Sequence, residues 1–454
     1  MVEQKFKKIN EFIFAPFDTF VYCNDDRLVF GELNKGELIK YLNREPISLD
    51  NRNIVIEWLC EACDDFKISK GVFVPPGRES SVVMAQVVNK ETRNNEIEIK
   101  EDFSNILPNS LKFKNIYFYF YENGTGTCSA MVEIEKNEGI TILELEEISE
   151  KLNKLYKEVF EDICFQLSKK YIDASRKFKI SHLKLDFLPK IDQVDKYRYF
   201  IPWTHRVYHI DNDKNLQDMR NPGELFRTLI TPTSVMDIKD FSIYDNRYIY
   251  FGWGHSLIFT YGDEDGYSQT SRPVYDYIRL VEIAQAKWEF LDVLTDVVNY
   301  SIITFQKHYK KMKLKRLQKS INRIRNFRNG VNRILADFRG IKITFDTEKR
   351  ILLDELHERW LTNKILSNLE DNIDRIEELL DQLYQRQKEQ REESLNTIAL
   401  LFTIVGVIEV FGLIFSIIEP VYPINPVLEI VFLIIGTILV GLMITFYIKM
   451  ATKG

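Results

Sequence analysis

Two long apolar runs near the C-terminus constrain this chain more than any other feature. Residues 395–418 contain a single ionisable side chain, and residues 427–448 form a second apolar run with Glu429 near its start. About 20 apolar residues suffice for a helix to cross a bilayer. We therefore predict two transmembrane helices joined as a hairpin. The alternative, a buried hairpin in a soluble protein, would require two such runs without a membrane.

The charges around these runs predict their orientation. Residues 385–393 carry three Lys or Arg, and residues 449–454 carry two. The connecting residues 419–426, which are rich in proline, carry none. Because basic residues tend to stay on the cytoplasmic side, we expect a multi-pass protein of the cell membrane with both termini in the cytoplasm.

The rest of the chain is long enough for more than one folded unit, since a single hydrophobic core does not keep growing with chain length. Strand-like runs punctuated by Gly and Pro predict an α+β region, and helical periodicity follows it. We expect a cytoplasmic α+β sensing domain in residues 1–270, which consists of two parts near 1–143 and 144–270. We further expect a helical stalk in 271–393, the transmembrane hairpin in 394–449 and a cytoplasmic tail in 450–454.

The amino-acid composition limits the kinds of partner and the cellular compartment expected for this chain. The chain has 61 Lys plus Arg against 67 Asp plus Glu, so no overall attraction to nucleic acid is expected, and we predict no direct nucleic-acid partner. Its five cysteines are scattered over 454 residues, unlike the dense pattern of a disulfide scaffold. Reduced thiols in a cytosol fit this pattern better.

Three local motifs support the α+β assignment. Strand-like sequences flank a glycine-rich segment within residues 115–135, and two others flank Gly252-Trp-Gly254 within residues 247–261; both patterns predict β-hairpins. Apolar residues recur at spacings of three and four in residues 144–177, which predicts a long amphipathic helix.

The helical region predicts a stalk that enters the membrane. Helical character begins near Pro273 and continues almost unbroken until Gly330 and Gly340. Residues 369–383 then carry a seam of Leu and Ile, and no Gly or Pro interrupts the chain from Leu369 to Val405. From residue 369 to 418 such a helix would measure roughly 75 Å, at about 1.5 Å per residue. It would couple the cytoplasmic domain mechanically to the bilayer.

This order of elements resembles the CorA-like family of divalent-cation channels, and the resemblance covers residues 240–454. The resemblance implies a homo-oligomer, a pentamer, in which the first membrane helix lines the pore. The family's Gly-Met-Asn signature is absent, and residues 416–418 stand in its place. In that family the tripeptide is the pore mouth that receives hydrated magnesium, so the resemblance implies the architecture and does not extend to magnesium selectivity. Divergent CorA-like proteins also occur beside type III CRISPR systems, where they resemble membrane effectors switched by a nucleotide second messenger.

Four polar residues of the first run are candidates for lining a pore. Glu409 lies near the middle, where an acid costs about 2.5 to 3.5 kcal/mol to insert, so we expect something to offset that cost. A ring of such carboxylates would attract cations, whereas a hydrogen bond to Thr437 or Thr445 would be the structural alternative. Glu409 and Ser416 are seven residues apart, as are Asn396 and Thr403, so each pair can repeat on one face of a helix. The two pairs are offset from each other by about 100° around the helix axis.

A basic segment offers a ligand site. Residues 307–328 carry ten Lys or Arg and no acid, while residues 369–393 carry nine Asp or Glu. Paired stalk helices or proximity to anionic lipid would account for the basic residues structurally. The functional alternative is an anionic nucleotide. Its predicted contacts are Lys315, Lys319, Arg323 and Arg325.

Other candidate sites are less specific. Trp253 and His255, with the acidic residues 263–265, could bind a cation or ligand or could merely decorate a turn. The pair Cys60 and Cys63 has no second pair or nearby histidine, so we predict no metal site. His205 and His209 alternate on one strand segment and are interpreted as structural. No Walker loop, GxGxxG, HExxH or GxSxG motif occurs, and we do not expect an enzyme.

Three hypotheses follow. The first is a homo-oligomeric CorA-like channel or pore whose cytoplasmic domain responds to Mg²⁺ or a nucleotide second messenger, including a role as an antiviral effector. The second is a transporter for magnesium or another divalent cation. The third is a membrane-tethered sensor or scaffold that does not conduct.

Overall fold

A computed structural model defines the fold. It describes residues 5–22, 35–59, 83–101, 103–108, 110–121, 123–179, 201–211, 225–230, 238–243, 247–260, 273–309, 314–340 and 347–418, together with 427, 430, 431, 434, 436 and 441. The chain divides into two compact units. The first unit contains Met1–Gln306 and Ile324–Glu377, and the second contains Lys307–Arg323 and Glu378–Gly454.

The first unit is built on a ten-stranded mixed sheet. Its strands are β1 (Phe6–Tyr22), β2 (Ile47–Leu49), β3 (Ile54–Leu59), β4 (Val83–Asn89), β5 (Glu96–Glu98), β6 (Lys112–Phe120), β7 (Asn123–Ile140), β8 (His205–Asp211), β9 (Arg247–Phe251) and β10 (His255–Thr260). Their order is β2-β3-β4-β6-β7-β1-β8-β10-β9, and β5 pairs with β6. Among these strands, β8 and β10 are parallel and the other neighbours are antiparallel.

Helices dominate the C-terminal half. The helices are α1 (Lys35–Leu42), α2 (Ile142–Phe178), α3 (Arg227–Ile230), α4 (Pro273–Tyr309), α5 (Leu314–Gly340), α6 (Thr347–Arg359) and α7 (Thr362–Ile418). The chain is therefore α+β in its N-terminal part and helical in its C-terminal part, as predicted. Gly330, which was expected to interrupt the helix, lies inside α5, so a single glycine does not break a helix whose apolar face is buried.

Helix α2 packs against one face of the sheet. It begins with a capping box, in which the Thr141 hydroxyl accepts from the Glu144 amide at 3.2 Å and the Glu144 carboxylate accepts from the Thr141 amide at 2.9 Å. Aromatic rings of Tyr156 and Phe160 on α2 contact Phe113 of β6. The helix predicted for residues 144–177 is thereby confirmed, and the capping box explains why it begins slightly earlier.

The opposite face of the sheet is covered by α4 and α6. Apolar side chains of β1, β8, β9 and β10 form one buried cluster with Tyr277 and Val281 of α4 and Leu352 and Leu356 of α6. Trp360, just after α6, closes this cluster: its indole N–H donates to the Gly252 carbonyl at 3.2 Å, and its own carbonyl accepts from Trp288 at 2.9 Å.

Both predicted hairpins are present. Strands β9 and β10 pair around Gly252-Trp-Gly254, with Gly254 at a φ of +87°. Strands β6 and β7 form the other, but β7 already begins at Asn123, so the glycine-rich segment belongs to this strand and not to the turn. Close packing explains the glycine: a Cβ on Gly126 would overlap the Phe17 ring and lie 2.8 Å from the Tyr119 carbonyl oxygen.

Helix α7 runs for 57 residues without a break, as the absence of Gly and Pro from residue 369 to 405 predicted. Its predicted seam is buried along the whole length. The seam consists of Leu369, Ile373, Ile376, Leu380 and Leu383. Most of the second apolar run, residues 427–448, lies outside the described residues, as does the loop at 419–426, so a membrane hairpin is not shown.

Candidate functional site

The C-terminal part of α7 has the properties of a membrane span. An 18-residue stretch of this helix has a mean hydropathy of 2.4, and none of it is buried within the chain. Phe402 is 72% exposed and Leu413 is 61% exposed. Among the described helices, α7 alone is long and apolar enough to cross a bilayer. An exposed apolar surface of this extent is typical of a membrane or protein contact, and the length of the stretch fits a bilayer.

The four predicted pore residues all lie on this helix and are all exposed: Asn396, Thr403, Glu409 and Ser416. The Thr403 hydroxyl donates to the Ala399 carbonyl at 2.8 Å, and the Ser416 hydroxyl donates to the Leu413 carbonyl at 2.8 Å. These two hydroxyl protons are therefore satisfied within the helix and need no external acceptor. That the four residues line a pore stays a prediction. Thr437 and Thr445 lie outside the described residues.

The predicted ligand residues lie on α5. Lys319, Arg323 and Arg325 are exposed, and Lys315 is in the first turn, although its side chain lies outside the described ones. Lys319 and Arg325 stand six residues apart, about 240° around a helix, so the four residues do not form one row. That they bind a nucleotide stays a prediction.

Part of the basic segment is paired with α7. Arg328 forms an ion pair with Glu377 at 2.6 Å inside the first unit. In the second unit the Gln387 amide donates to the Gln318 side-chain oxygen. The predicted exchange of charge between stalk helices therefore occurs at Arg328.

A buried polar network lies between α2 and the sheet, and sequence analysis did not identify it. Ser149 of α2 is its centre: its hydroxyl donates to Glu11 of β1 and accepts from the Arg206 guanidinium at 2.9 Å. Because that hydroxyl proton is used, the Tyr208 hydroxyl at 2.8 Å is the donor to Ser149. Arg206 also contacts Nε2 of His255. Four segments distant in sequence therefore meet at this point.

Strand register assembles the network. Glu11 of β1 is directly opposite Tyr208 of β8, and Arg206 of β8 is directly opposite His255 of β10. Glu11 shares one face of β1 with Ile9 and Ile13, which are fully buried. An acid at an inward position of an apolar strand was the signal in the sequence, because charged residues are rarely buried without a partner.

The network holds its titratable groups in unusual states. Burial raises the pKa of Glu11 to about 7, although Arg206 and the Ser149 hydrogen bond oppose the shift. Within the described part of the chain, one oxygen of this carboxyl, Oε2, has no hydrogen-bond partner. Burial and the neighbouring Arg206 lower the pKa of His255 to about 3, so its ring is neutral. Glu11 can therefore exchange a proton near neutral pH at a junction between the sheet and α2.

The histidines and the turn tryptophan singled out in the sequence occupy different surroundings. The His255 ring, within the network, stacks on the Tyr208 ring with a centre-to-centre distance of 6.3 Å. Trp253 remains 49% exposed, and the acidic residues 263–265 lie outside the described ones. His205 and His209 hydrogen-bond to Ser256 at 2.8 Å and to Thr260 at 3.0 Å.

A second buried network joins α4 to the sheet. Arg279 forms an ion pair with Glu282, and the Thr127 hydroxyl of β7 donates to the other Glu282 oxygen at 2.9 Å. The Arg279 guanidinium lies 4.2 Å from the centre of the Tyr119 ring. Burial raises the pKa of Glu282, an effect that Arg279 opposes. With both charges satisfied locally, the arrangement fixes α4 on the sheet.

A third network, also buried, links β9, α4 and α6. The Tyr277 hydroxyl donates to Glu348 at 2.9 Å and accepts from Arg247.

Among the residues that the structure describes, no group of three or more His, Cys, Asp or Glu side chains could hold a metal ion. Cys60 and Cys63 lie outside the described residues.

Comparison with known protein families and curated proteins identified no relative of this chain. No protein-family model matches the chain, and no curated protein matches it at a significant level of sequence similarity.

Proposed function

We propose that this chain assembles with copies of itself, as a CorA-like pentamer, into a membrane ion channel or pore that is gated through its cytoplasmic domain. The observation that carries the proposal is the continuity of α7. One helix bears a buried seam from Leu369 to Leu383 and then an exposed apolar stretch that fits a bilayer. The seam and the apolar stretch therefore belong to one unbroken helix, which would link packing changes in the seam to the membrane.

The membrane topology belongs to the same proposal. Residues 427–448 form a second span, residues 419–426 connect the two spans on the far side, and both termini are cytoplasmic. The apolar character of residues 427–448 and the distribution of Lys and Arg support this arrangement. Within the first span, Glu409 supplies a carboxylate in each subunit, and a symmetric ring of carboxylates would favour cations.

Gating requires a ligand that binds the open and closed states with different affinity. We propose Mg²⁺ or a nucleotide second messenger in this role, by the resemblance to CorA-like proteins and to those beside type III CRISPR systems. The basic residues of α5 and the near-neutral charge balance of the chain support a small anionic ligand over nucleic acid. No catalytic step is part of the proposal.

Ion flux from proteoliposomes tests the proposal. The full-length protein would be purified, reconstituted and assayed with and without Mg²⁺ and a panel of nucleotide second messengers. Flux triggered by a nucleotide supports a gated effector, and flux of divalent cations without nucleotide supports a transporter. Silence under every condition, with the protein inserted and oligomeric, would leave a non-conducting sensor or scaffold and would refute the channel.

A further inference from the structure

The hydrogen bonds of Arg206 link three elements of the first unit. One terminal nitrogen, Nη1, donates to the Ser149 hydroxyl of α2 at 2.9 Å, and the other, Nη2, donates to Nε2 of His255 on β10. Arg206 itself belongs to β8, which pairs with β1 on one side and with β10 on the other. A single guanidinium therefore joins the side chains of α2, β8 and β10.

The Glu11 carboxyl group interacts with Arg206 electrostatically, but its hydrogen bond goes to Ser149. Its Oε1 accepts from the Ser149 hydroxyl, whereas no described residue donates to its Oε2. An unpaired buried oxygen costs far less in a neutral carboxyl group than in a carboxylate, because an isolated buried charge is the more expensive of the two. The arrangement therefore fits a protonated Glu11.

The surroundings of Glu11 leave Arg206 as the cation with which an ionised carboxylate would pair. The described titratable and polar groups of this network are Arg206 and Tyr208 of β8, His255 of β10, and Ser149 and Glu146 of α2. On the other side of Glu11, β7 presents the apolar Val132. His255 has its pKa lowered to about 3 and Tyr208 has its pKa raised, so both are neutral near pH 7. Among these described groups, Arg206 alone carries a positive charge at that pH.

We propose that this network is a switch operated by one proton: protonated Glu11 leaves Arg206 bound to Ser149 and His255, and ionised Glu11 draws Arg206 to itself and away from His255. The guanidinium is a rigid planar fork, so turning it toward the carboxylate moves Nη2 away from the imidazole ring. Burial raises the pKa of Glu11 to about 7, which places the change near neutral pH.

The switch acts on the hairpin of β9 and β10. His255 begins β10, and its backbone carbonyl accepts from the Gly252 amide at 2.7 Å. The Gly252 carbonyl accepts from the indole of Trp360, which lies two residues before the start of α7. The proton thus controls a side-chain contact in the hairpin that touches the residue preceding α7. This switch lies in the first unit and does not require that the chain conduct ions.

Solid-state NMR of the full-length protein in liposomes, labelled with [15N]histidine, follows the His255 ring between pH 5 and pH 8. Its Nε2 resonance, assigned by its absence from H255F, should move as pH rises through about 7, toward the position of a ring nitrogen that accepts no hydrogen bond. In E11Q it should stay at its low-pH position. The matched control is E150Q, which changes an exposed acid beside Ser149 and should titrate as wild type does.

A double-mutant cycle measures the contact between Arg206 and His255 directly. Urea unfolding of wild type, R206M, H255F and the double variant gives the factor by which the pair changes the unfolding equilibrium constant. A hydrogen bond from a charged donor should give a factor of about ten at pH 5 and none at pH 8. In the E11Q background the factor of about ten should persist at both pH values.

A His255 resonance that does not move in wild type, or that moves equally in E11Q, would overturn the inference. A coupling between Arg206 and His255 that is the same at both pH values would also overturn it. If R206M does not fold, the NMR comparison of wild type with E11Q decides alone.

Discussion

Replacing Glu11 with Gln should remove a pH dependence from the stability of the first unit. Burial raises the Glu11 pKa to about 7 from an ordinary value of 4.5. The folded unit therefore holds a proton that the unfolded chain releases. The contribution of Glu11 to the free energy of unfolding is fully present below about pH 4.5 and is lost as pH rises through about 7. At about 1.4 kcal/mol per pKa unit, the loss is about 3 kcal/mol. Glutamine resembles the protonated acid and cannot ionise.

Urea unfolding followed by tryptophan fluorescence, at pH 5 and pH 8 in detergent, measures this difference. All five tryptophans lie in the first unit, so the signal reports that unit alone. Histidines with lowered pKa, such as His209 and His255, make stability rise with pH and oppose Glu11. The comparison must therefore be between wild type and E11Q, with the exposed Glu150 changed to Gln as the matched control. Equal changes in wild type and E11Q between the two pH values would refute the reasoning.

Three further predictions follow from single contacts. Gly252→Ala should destabilise the first unit by about 2 to 3 kcal/mol or more, because a Cβ there overlaps the Ile230 carbonyl; thermal unfolding measures it. A double-mutant cycle on Arg328 and Glu377 should give a coupling of about 0.2 to 1 kcal/mol that high salt removes, since both are partly exposed. Glu409→Gln should alter ion selectivity while the oligomer still forms, as judged by flux and size-exclusion chromatography; unchanged selectivity would remove Glu409 from the conduction path.

Local patterns predicted the elements of this fold because their signals lie close together in the sequence. The spacing of Leu145, Ile148 and Leu152 predicted α2, and turn glycines predicted the β9–β10 hairpin. The β6–β7 turn was misplaced because Gly126 serves packing against Phe17, a contact with a residue more than a hundred positions away.

The buried networks could not be predicted from local patterns. Glu11, Ser149 and Arg206 become neighbours only through the pairing of β1 with β8 and the packing of α2 on the sheet. The pore residues were predicted from the sequence of the first apolar run alone. In the proposed oligomer, the face of α7 that lines the pore is set by contacts between chains, and the sequence of one chain gives two candidate faces, around Glu409 and around Asn396.

The most direct test of the central claim is a planar-bilayer recording from the purified, oligomeric full-length protein, with Mg²⁺ and nucleotide second messengers added to the cytoplasmic side. If the protein is a gated channel, the recording will show discrete current steps whose open probability changes with one of these ligands. A protein that is inserted and oligomeric but carries no current under any of these conditions would contradict the proposal.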